Sequence, residues 1–307
     1  MGPLKFIFVL LISAHGFSQE KTYSETEISV SKFIDGTLLD PIEDKKSILA
    51  IIIAGSGPTD RDGNQNFLKN DALKKLAKDL ANAGISTFRY DKRIVKQIHQ
   101  GNVDPDIMFD DFVNDAKDVI TYFKEKNSFR KIYVIGHSQG SLVGMLAAKE
   151  KTDGFISIAG AAKNIGDVIV EQVSNMNPQL GKEAQKVVDK LKKGESAAEY
   201  PEILASVFDT NIQSFMINWM QYNPIEIIKD LKIPILVING TKDLQVSEEE
   251  AKLLKEANEN AQISIIENMN HVFFEIEGGD LENSKSYNEA FRPISSKLVK
   301  SITNFIN

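Results

Sequence analysis

Ile132-Tyr133-Val134-Ile135-Gly136-His137-Ser138-Gln139-Gly140 is the stretch that decides the fold. Its apolar start predicts a buried strand, and residues 139–149 have the composition of a helix. Between them lies G-x-S-x-G. Glycines on both sides of Ser138 permit a sharp turn that lifts the serine off the sheet edge, and the following helix N-terminus offers an N–H group to an anion. Such short patterns also recur by chance, but this strand-to-helix context predicts that Ser138 is a nucleophile.

Hydrophobic runs and helical patterns alternate on both sides of this motif. The predicted strands are residues 48–54, 85–90, 131–135, 155–159, 235–239 and 262–266. The predicted helices are residues 67–83, 110–126, 139–149, 248–257 and 284–306. This order predicts the α/β class, with a mostly parallel sheet flanked by helices on both faces.

Residues 161–228 interrupt the alternation with a polar, helical pattern that contains no strand candidate. We interpret them as a helical cap inserted into a core made of residues 19–160 and 229–307. The alternative is a second independent domain. Strands of one sheet on both sides favour the insertion.

Composition excludes several classes of protein. The 307 residues include 36 basic and 43 acidic side chains, for a net charge of −7, and no cysteine. The acidic balance argues against a nucleic-acid partner. The lack of cysteine excludes disulfides, thiolate zinc sites and a cysteine nucleophile.

Residues 1–18 have the order of a secretory signal peptide: Lys5, an apolar run from Phe6 to Ile12, then small residues. The apolar run is too short to span a bilayer. We therefore expect a periplasmic or extracellular protein with no stable membrane anchor after processing. The alternative is a buried N-terminal strand.

A serine needs a base, and the chain has 4 histidines. His15 lies in the leader, His137 is expected to point away from Ser138, and His99 is expected in a polar loop. His271 follows the strand 262–266 by a short loop, which places it at the same sheet edge as Ser138. His271 is thus the predicted base; the alternative is a capping or exposed loop histidine.

The base needs a carboxylate that orients its ring. Asp243 ends the turn after the strand 235–239, again at the carboxyl edge of the sheet. Glu267 is the weaker alternative. Glu248, Glu249 and Glu250 open the next helix, where acidic residues favour the helix dipole and need no other role.

With Ser138, Asp243 and His271 in this chain order on a β-α framework, residues 25–307 resemble the α/β-hydrolases, the superfamily of esterases, lipases, thioesterases and some peptidases. Residues 55–64 and 88–93 also resemble bacterial carboxylesterases of the peptidase-S33-like branch. Many relatives continue the second motif with a glycine-rich turn, whereas this chain continues Ile94-Val95-Lys96.

The resemblance implies an oxyanion hole made by the N–H groups of Gln139 and Ser56, with Gly57 as an alternative to Ser56. It also implies catalysis without a metal or an organic cofactor. The expected reaction is hydrolysis of small acyl esters through an acyl-enzyme. A serine peptidase, or an acyltransferase or thioesterase, is the alternative on the same fold. An inactive binding protein is a third hypothesis, against which the complete Ser, Asp and His argue.

The sequence says least about the substrate and nothing about the oligomeric state. The candidate substrate-binding residues are Gly57, Arg61, Phe215, Trp219 and Met220. The cap aromatics, with Phe208 and Tyr222, serve equally well as the core of the cap. Arg61 lies between Asp60 and Asp62, so it is more readily explained as part of a self-neutralised loop than as a carboxylate-binding residue.

Overall fold

A computed structural model describes residues 22–43, 45–149 and 151–307. The predicted leader, residues 1–18, lies outside these residues. One sheet organises the described chain, with eight strands in the order β1-β2-β4-β3-β5-β6-β7-β8. The pairs from β4 to β8 are parallel, and β1 and β2 add an antiparallel edge.

The strands are β1 Tyr23–Ser29, β2 Asp35–Pro41, β3 Ile48–Ile53, β4 Ser86–Tyr90, β5 Lys131–His137, β6 Gly154–Ile158, β7 Ile235–Gly240 and β8 Gln262–Ile266. The helices are α1 Ala72–Asn82, α2 Arg93–His99, α3 Phe109–Lys126, α4 Gln139–Ala148, α5 Ile165–Met176, α6 Pro178–Leu191, α7 Ala205–Phe208, α8 Thr210–Met220, α9 Pro224–Asp230, α10 Glu248–Ala257, α11 Asp280–Ser286 and α12 Ser296–Ile306.

Apolar side chains cover both faces of the sheet, because alternate residues of the central strands point to opposite sides. On one face α3, α4, α9 and α10 pack against residues such as Leu49 and Val134. On the other face α1 and α12 pack against residues such as Ile52 and Ile135. The predicted mostly parallel sheet between two helical layers is confirmed.

Three segments differ from their predicted secondary structure. Helix α1 begins at Ala72 rather than at Phe67, which is 96% exposed and has a φ of 68°. His99, expected in a polar loop, ends helix α2, Arg93–His99. The predicted last helix is two helices, α11 and α12, because Pro293 interrupts the intervening segment, where Ile294 pairs with Phe274.

Helices α5 to α9 occupy the chain between β6 and β7, and no strand lies between residues 161 and 230. Buried apolar side chains of α5, α6 and α8, with Phe208 of α7, form a separate hydrophobic cluster. This helical segment also contacts the sheet layer: Trp219 of α8 stacks on Phe109 of α3, with ring centroids 5.5 Å apart. In the described part of the chain no helix has the length and apolar character needed to cross a membrane.

Candidate active site

Ser138 lies on a strained turn between β5 and α4. Its φ of 54° and ψ of −121° are uncommon for a residue with a side chain. The turn is possible because Gly136 and Gly140 approach each other closely: a Cβ on Gly136 would lie 2.2 Å from the Gly140 oxygen. A Cβ on Gly140 would lie 2.4 Å from the Ile53 oxygen. Only glycine fits at both positions, and the result is a serine held above the sheet edge.

His271 and Asp243 form the second part of the site. His271 Nδ1 lies 2.8 Å from Asp243 Oδ2, and both side chains are almost completely buried. The other carboxylate oxygen of Asp243 accepts the N–H groups of Gln245 and Val246 at 2.8 and 2.9 Å. These bonds fix the carboxylate, which in turn holds the proton of His271 on Nδ1 and leaves Nε2 free to act as a base.

The loop that presents His271 is held by its neighbour Asn270. The Asn270 side-chain oxygen accepts the N–H groups of Val272 and Phe274 at 3.1 and 2.9 Å. Its amide group donates to Asn283 and Ser286. Because Asn270 is buried, these bonds anchor the loop to α11 and fix the position of His271.

His137 contacts His271 directly, although it was expected only to point away from Ser138. Its Nε2–H donates to the main-chain oxygen of His271 at 2.9 Å, and the two rings lie 4.7 Å apart. Burial lowers the pKa of His137 to about 3, so its ring is neutral at physiological pH. His137 thus holds the main chain of His271 by a hydrogen bond and adds no charge beside its ring.

Ser56 lies in the loop after β3, opposite the N-terminus of α4. Its carbonyl oxygen accepts hydrogen bonds from Thr59 Oγ1 at 2.7 Å and from Gln65 Nε2 at 3.0 Å. Its own N–H has no acceptor among the loop hydrogen bonds of the described residues. An unused N–H beside the turn that holds Ser138 is available to bind an oxyanion.

Two clefts meet at Ser56 and Ser138. The first is lined by His271 and by both polar and apolar residues, among them Thr59, Gln65, Leu68, Asn70, Ala72, Leu73, Val272 and Tyr287. The second lies beneath the helical segment and is lined mainly by apolar residues: Leu142, Ala161, Ile165, Val168, Trp219, Pro224 and Val246. His271 lines the first cleft, and Gln139 lines the second.

No hydrogen bond joins Ser138 Oγ to His271 among the residues that the structure describes, although both line the first cleft. Contacts of this kind often tighten only when substrate binds. The structure therefore brings together Ser138, His271 and Asp243, with the N–H groups of Ser56 and Gln139 beside the serine. Such an arrangement can activate a hydroxyl and bind an oxyanion.

The predicted substrate-binding residues divide into two groups. Trp219 lines the second cleft. Phe215 and Met220 do not line either cleft: Phe215 packs on the rings of α3, and Met220 is buried in the helical segment. The structure thus places the partly buried Phe215 and the buried Met220 in apolar packing, outside the lining of both clefts.

Arg61 is also placed away from both clefts. Its guanidinium forms two hydrogen bonds with Asp91 Oδ2, at 2.9 and 2.6 Å, and binds Glu27 and Thr37. The charge of Arg61 is therefore neutralised by acidic side chains, as in the alternative explanation. These side chains are Asp91 and Glu27 and not the adjacent Asp60 and Asp62. Gly57, whose carbonyl faces inward to Lys92, lines neither cleft.

Sequence reasoning missed Lys92, a buried side chain behind the Ser56 loop. Its Nζ donates to the carbonyl oxygens of Gly55 and Gly57 and to the side chain of Gln139. The available indication was its position, two residues after β4 and therefore at the carboxyl edge of the sheet. In the described ranges no cluster of three or more His, Cys, Asp or Glu side chains is arranged to hold a metal ion.

Comparison with known proteins places the chain in a family. The model of the family "Serine aminopeptidase, S33" matches residues 70–277, about two thirds of the 307 residues. The chain belongs to this family. Its sheet and helical layers are those of the α/β-hydrolase fold, as the sequence predicted.

One individual protein is also similar in sequence. The chain is 28% identical to esterase EstD of Thermotoga maritima over an alignment of 269 positions, which covers 84% of this chain and 62% of that protein. The chain therefore spans less than two thirds of the length of that relative.

Solved structures share the fold. Est1E from Butyrivibrio proteoclasticus aligns with a TM-score of 0.58 and 15% identity, covering 92% of this chain and 96% of its own. Dienelactone hydrolase from Anabaena variabilis aligns with a TM-score of 0.54 and 13% identity, covering 92% and 97%.

Proposed function

We propose that this protein is a serine esterase that hydrolyses small acyl esters through an acyl-enzyme on Ser138. The observation that carries the proposal is the buried pair of His271 and Asp243, 2.8 Å apart, in which His271 lines the same cleft as the strained Ser138 turn. The 28% identity to an esterase agrees with this chemistry.

The mechanism follows from the positions of these groups. His271 Nε2 takes the proton of Ser138 Oγ as that oxygen attacks the ester carbonyl, and the C–O bond to the alcohol breaks when His271 returns the proton to the leaving oxygen. His271 then takes a proton from a water molecule as that water attacks the acyl-enzyme. The carboxylic acid leaves as His271 returns the proton to Ser138 Oγ. Asp243 stays ionised and stabilises the imidazolium that forms in each half-reaction.

The oxyanion hole is formed by the N–H groups of Gln139 and Ser56. Between the two predicted donors of the loop, the structure favours Ser56, because it lines both clefts whereas Gly57 lines neither. One such donor lowers the activation barrier by roughly 3–4 kcal/mol.

The position of His271 orients the substrate. The base must reach the leaving oxygen, and His271 lines the first cleft. The alcohol part of the ester therefore lies in the first cleft, and the acyl group extends into the apolar second cleft under Trp219. Thr59, Gln65 and Asn70 offer polar groups to the alcohol in the first cleft, and the apolar side chains under Trp219 suit an acyl chain.

The same clefts argue against aminopeptidase activity, the other reaction that the family name suggests. An aminopeptidase must bind the ammonium group of a peptide N-terminus, which a carboxylate does best. Within the described chain, no Asp or Glu side chain lines either of the two clefts that meet at Ser138. Glu171 and Glu250 line a groove that adjoins the second cleft, and both form ion pairs with Lys163. A neutral ester needs no such partner.

A panel of chromogenic substrates tests the proposed function. We expect hydrolysis of p-nitrophenyl acetate and butyrate, with no turnover of alanyl- or leucyl-p-nitroanilide above that of a Ser138→Ala control. Faster turnover of the anilides than of the esters would establish the peptidase instead. No hydrolysis of either series above the Ser138→Ala control would reject both activities.

We further propose that the enzyme acts outside the cytoplasm. The support is the order of basic, apolar and small residues within residues 1–18.

A further inference from the structure

Lys92 lies between β4 and α2 with its side chain buried; the residue is 5% exposed. Its Nζ donates to three oxygens: Gly55 O at 2.9 Å, Gly57 O at 3.0 Å and Gln139 Oε1 at 2.8 Å. An ammonium group has three N–H donors, so this set uses all of them. The ring of Phe112 lies 4.5 Å from Nζ.

No carboxylate pairs with Lys92 Nζ among the described residues. Its charged neighbours in sequence bind other side chains. Asp91 binds Arg61, and Arg93 binds Asp111 and Asp115. Burial without a counterion lowers the pKa of Lys92 to about 7. A buried charge of this kind costs free energy that an apolar side chain would avoid, so fold stability alone does not explain it.

The three acceptors surround the oxyanion hole of the proposed mechanism. Gly55 and Gly57 flank Ser56, and Gln139 provides the other N–H donor. The Gly55 carbonyl and the Ser56 N–H belong to one peptide group, and the described chain has no cis peptide bond. In a planar trans peptide the C=O and N–H groups point in opposite directions. Holding the carbonyl toward Lys92 therefore directs the Ser56 N–H away from it.

We propose that Lys92 is a positioning residue for the oxyanion hole, fixing the direction of the Ser56 N–H and tying its loop to Gln139 at the start of α4. This inference rests on the proposed function. In its protonated form Lys92 also polarises the Gly55 carbonyl, which strengthens the attached Ser56 N–H as a hydrogen-bond donor. Lys92 acts through these two residues and does not line either cleft.

Lys92→Met tests the proposal, because it keeps the length of the side chain and removes all three donors. Lys75→Met is the matched control. Lys75 Nζ also donates to two carbonyl oxygens, of Asn70 and Arg292, each at 2.7 Å, and lies 4.7 Å from the ring of Phe274. It has no bond to Gly55, Ser56, Gly57 or Gln139, so its loss removes the same chemistry away from the oxyanion hole.

We expect Lys92→Met to lower kcat for p-nitrophenyl butyrate about a hundredfold, with KM changed less than about threefold, because the donors act mainly on the transition state. The affinity for phenylboronic acid, which forms a tetrahedral adduct on the serine oxygen, should weaken by a similar factor. Lys75→Met should change neither kcat nor boronate affinity by more than about threefold.

A second variant covers the case in which Lys92→Met does not fold. Gln139→Met removes one of the three acceptors and keeps both the main-chain N–H of residue 139 and the buried lysine. We expect kcat and boronate affinity to fall together by about tenfold, with KM nearly constant.

Wild-type kcat and boronate affinity in folded Lys92→Met would overturn the inference, as would a loss shared equally by Lys75→Met. If Lys92→Met does not fold, unchanged values in Gln139→Met would overturn it. The proposed function is judged separately by Ser138→Ala. If wild type hydrolyses the ester and Ser138→Ala does not, while Lys92→Met matches wild type, only the role of Lys92 fails.

Discussion

His137 donates its Nε2–H to the main-chain oxygen of His271 at 2.9 Å. The residue before Ser138 therefore fixes the main chain of the residue that acts as the base. The two segments meet although 134 positions separate them in sequence. This bond is compatible only with a His137 proton on Nε2, and burial keeps the ring neutral.

Stability should depend on pH through His137. Burial lowers its pKa to about 3 in the folded protein, against 6.5 for the ordinary side chain. Between these values the unfolded chain binds the additional proton, so wild type loses stability as pH falls from about 6.5 toward 3. The slope from this group is at most about 1.4 kcal/mol per pH unit.

His137→Phe removes this contribution, and its unfolding free energy should fall less steeply with acid than that of wild type. Urea unfolding at pH 7, 6, 5 and 4 measures the difference. Parallel curves for the two proteins would show that His137 does not titrate differently on folding.

Asp243→Asn should lower kcat by about 10³–10⁴ with little change in stability. The amide oxygen can still accept the N–H groups of Gln245 and Val246, which places the amide NH₂ against His271 Nδ1. That nitrogen must then lose its proton, and Nε2 becomes protonated and unable to accept the proton of Ser138. Steady-state hydrolysis of p-nitrophenyl butyrate measures the loss.

Glu267→Gln is the matched control for this substitution. Glu267 is the alternative acid considered from the sequence, and it is exposed, whereas the Asp243 side chain is 1% exposed. Its activity should stay within about twofold of wild type. A large loss in Glu267→Gln with an active Asp243→Asn would reassign the acid.

Trp219→Ala should shift acyl-chain preference toward longer chains. The indole lines the second cleft and stacks on Phe109, so its removal lengthens the apolar space proposed to hold the acyl group. The change in relative kcat/KM should reach about 1–3 kcal/mol across acetyl to octanoyl p-nitrophenyl esters.

Met220→Ala provides the comparison, because Met220 is buried in the core of the helical segment and lines neither cleft. It should lower the unfolding free energy by about 2–5 kcal/mol without changing chain-length preference. An unchanged preference in Trp219→Ala would place the acyl group elsewhere.

The predicted leader gives a separate expectation. Mature protein recovered from the cell envelope or the medium should begin near Gln19, as read by N-terminal sequencing or intact mass. Exported protein that still begins at Met1 would reject cleavage there.

The fold was predictable because its central strands are apolar runs bounded by turns. Residues 48–53 are all buried, and such a run needs no knowledge of its neighbours to be recognised. The order of Ser138, Asp243 and His271 was also readable, since each follows a strand and parallel strands end at one edge.

Other features depend on partners far away in sequence. Strand β1 is polar and mostly exposed, and only its pairing with β2 makes it a strand. Lys92 is a charged residue in a polar segment, and its acceptors Gly55 and Gln139 lie 37 and 47 positions away. No local pattern could show that these groups enclose a buried ammonium.

Covalent labelling of Ser138 tests the central claim most directly. Wild type, Ser138→Ala and His271→Ala are treated with an alkyl fluorophosphonate, and the modified peptide is identified by mass spectrometry. The account predicts one stoichiometric adduct on Ser138 in wild type, none in Ser138→Ala and a strongly slowed reaction in His271→Ala. An adduct on another residue, or equal labelling of Ser138→Ala, would contradict the assignment of the nucleophile.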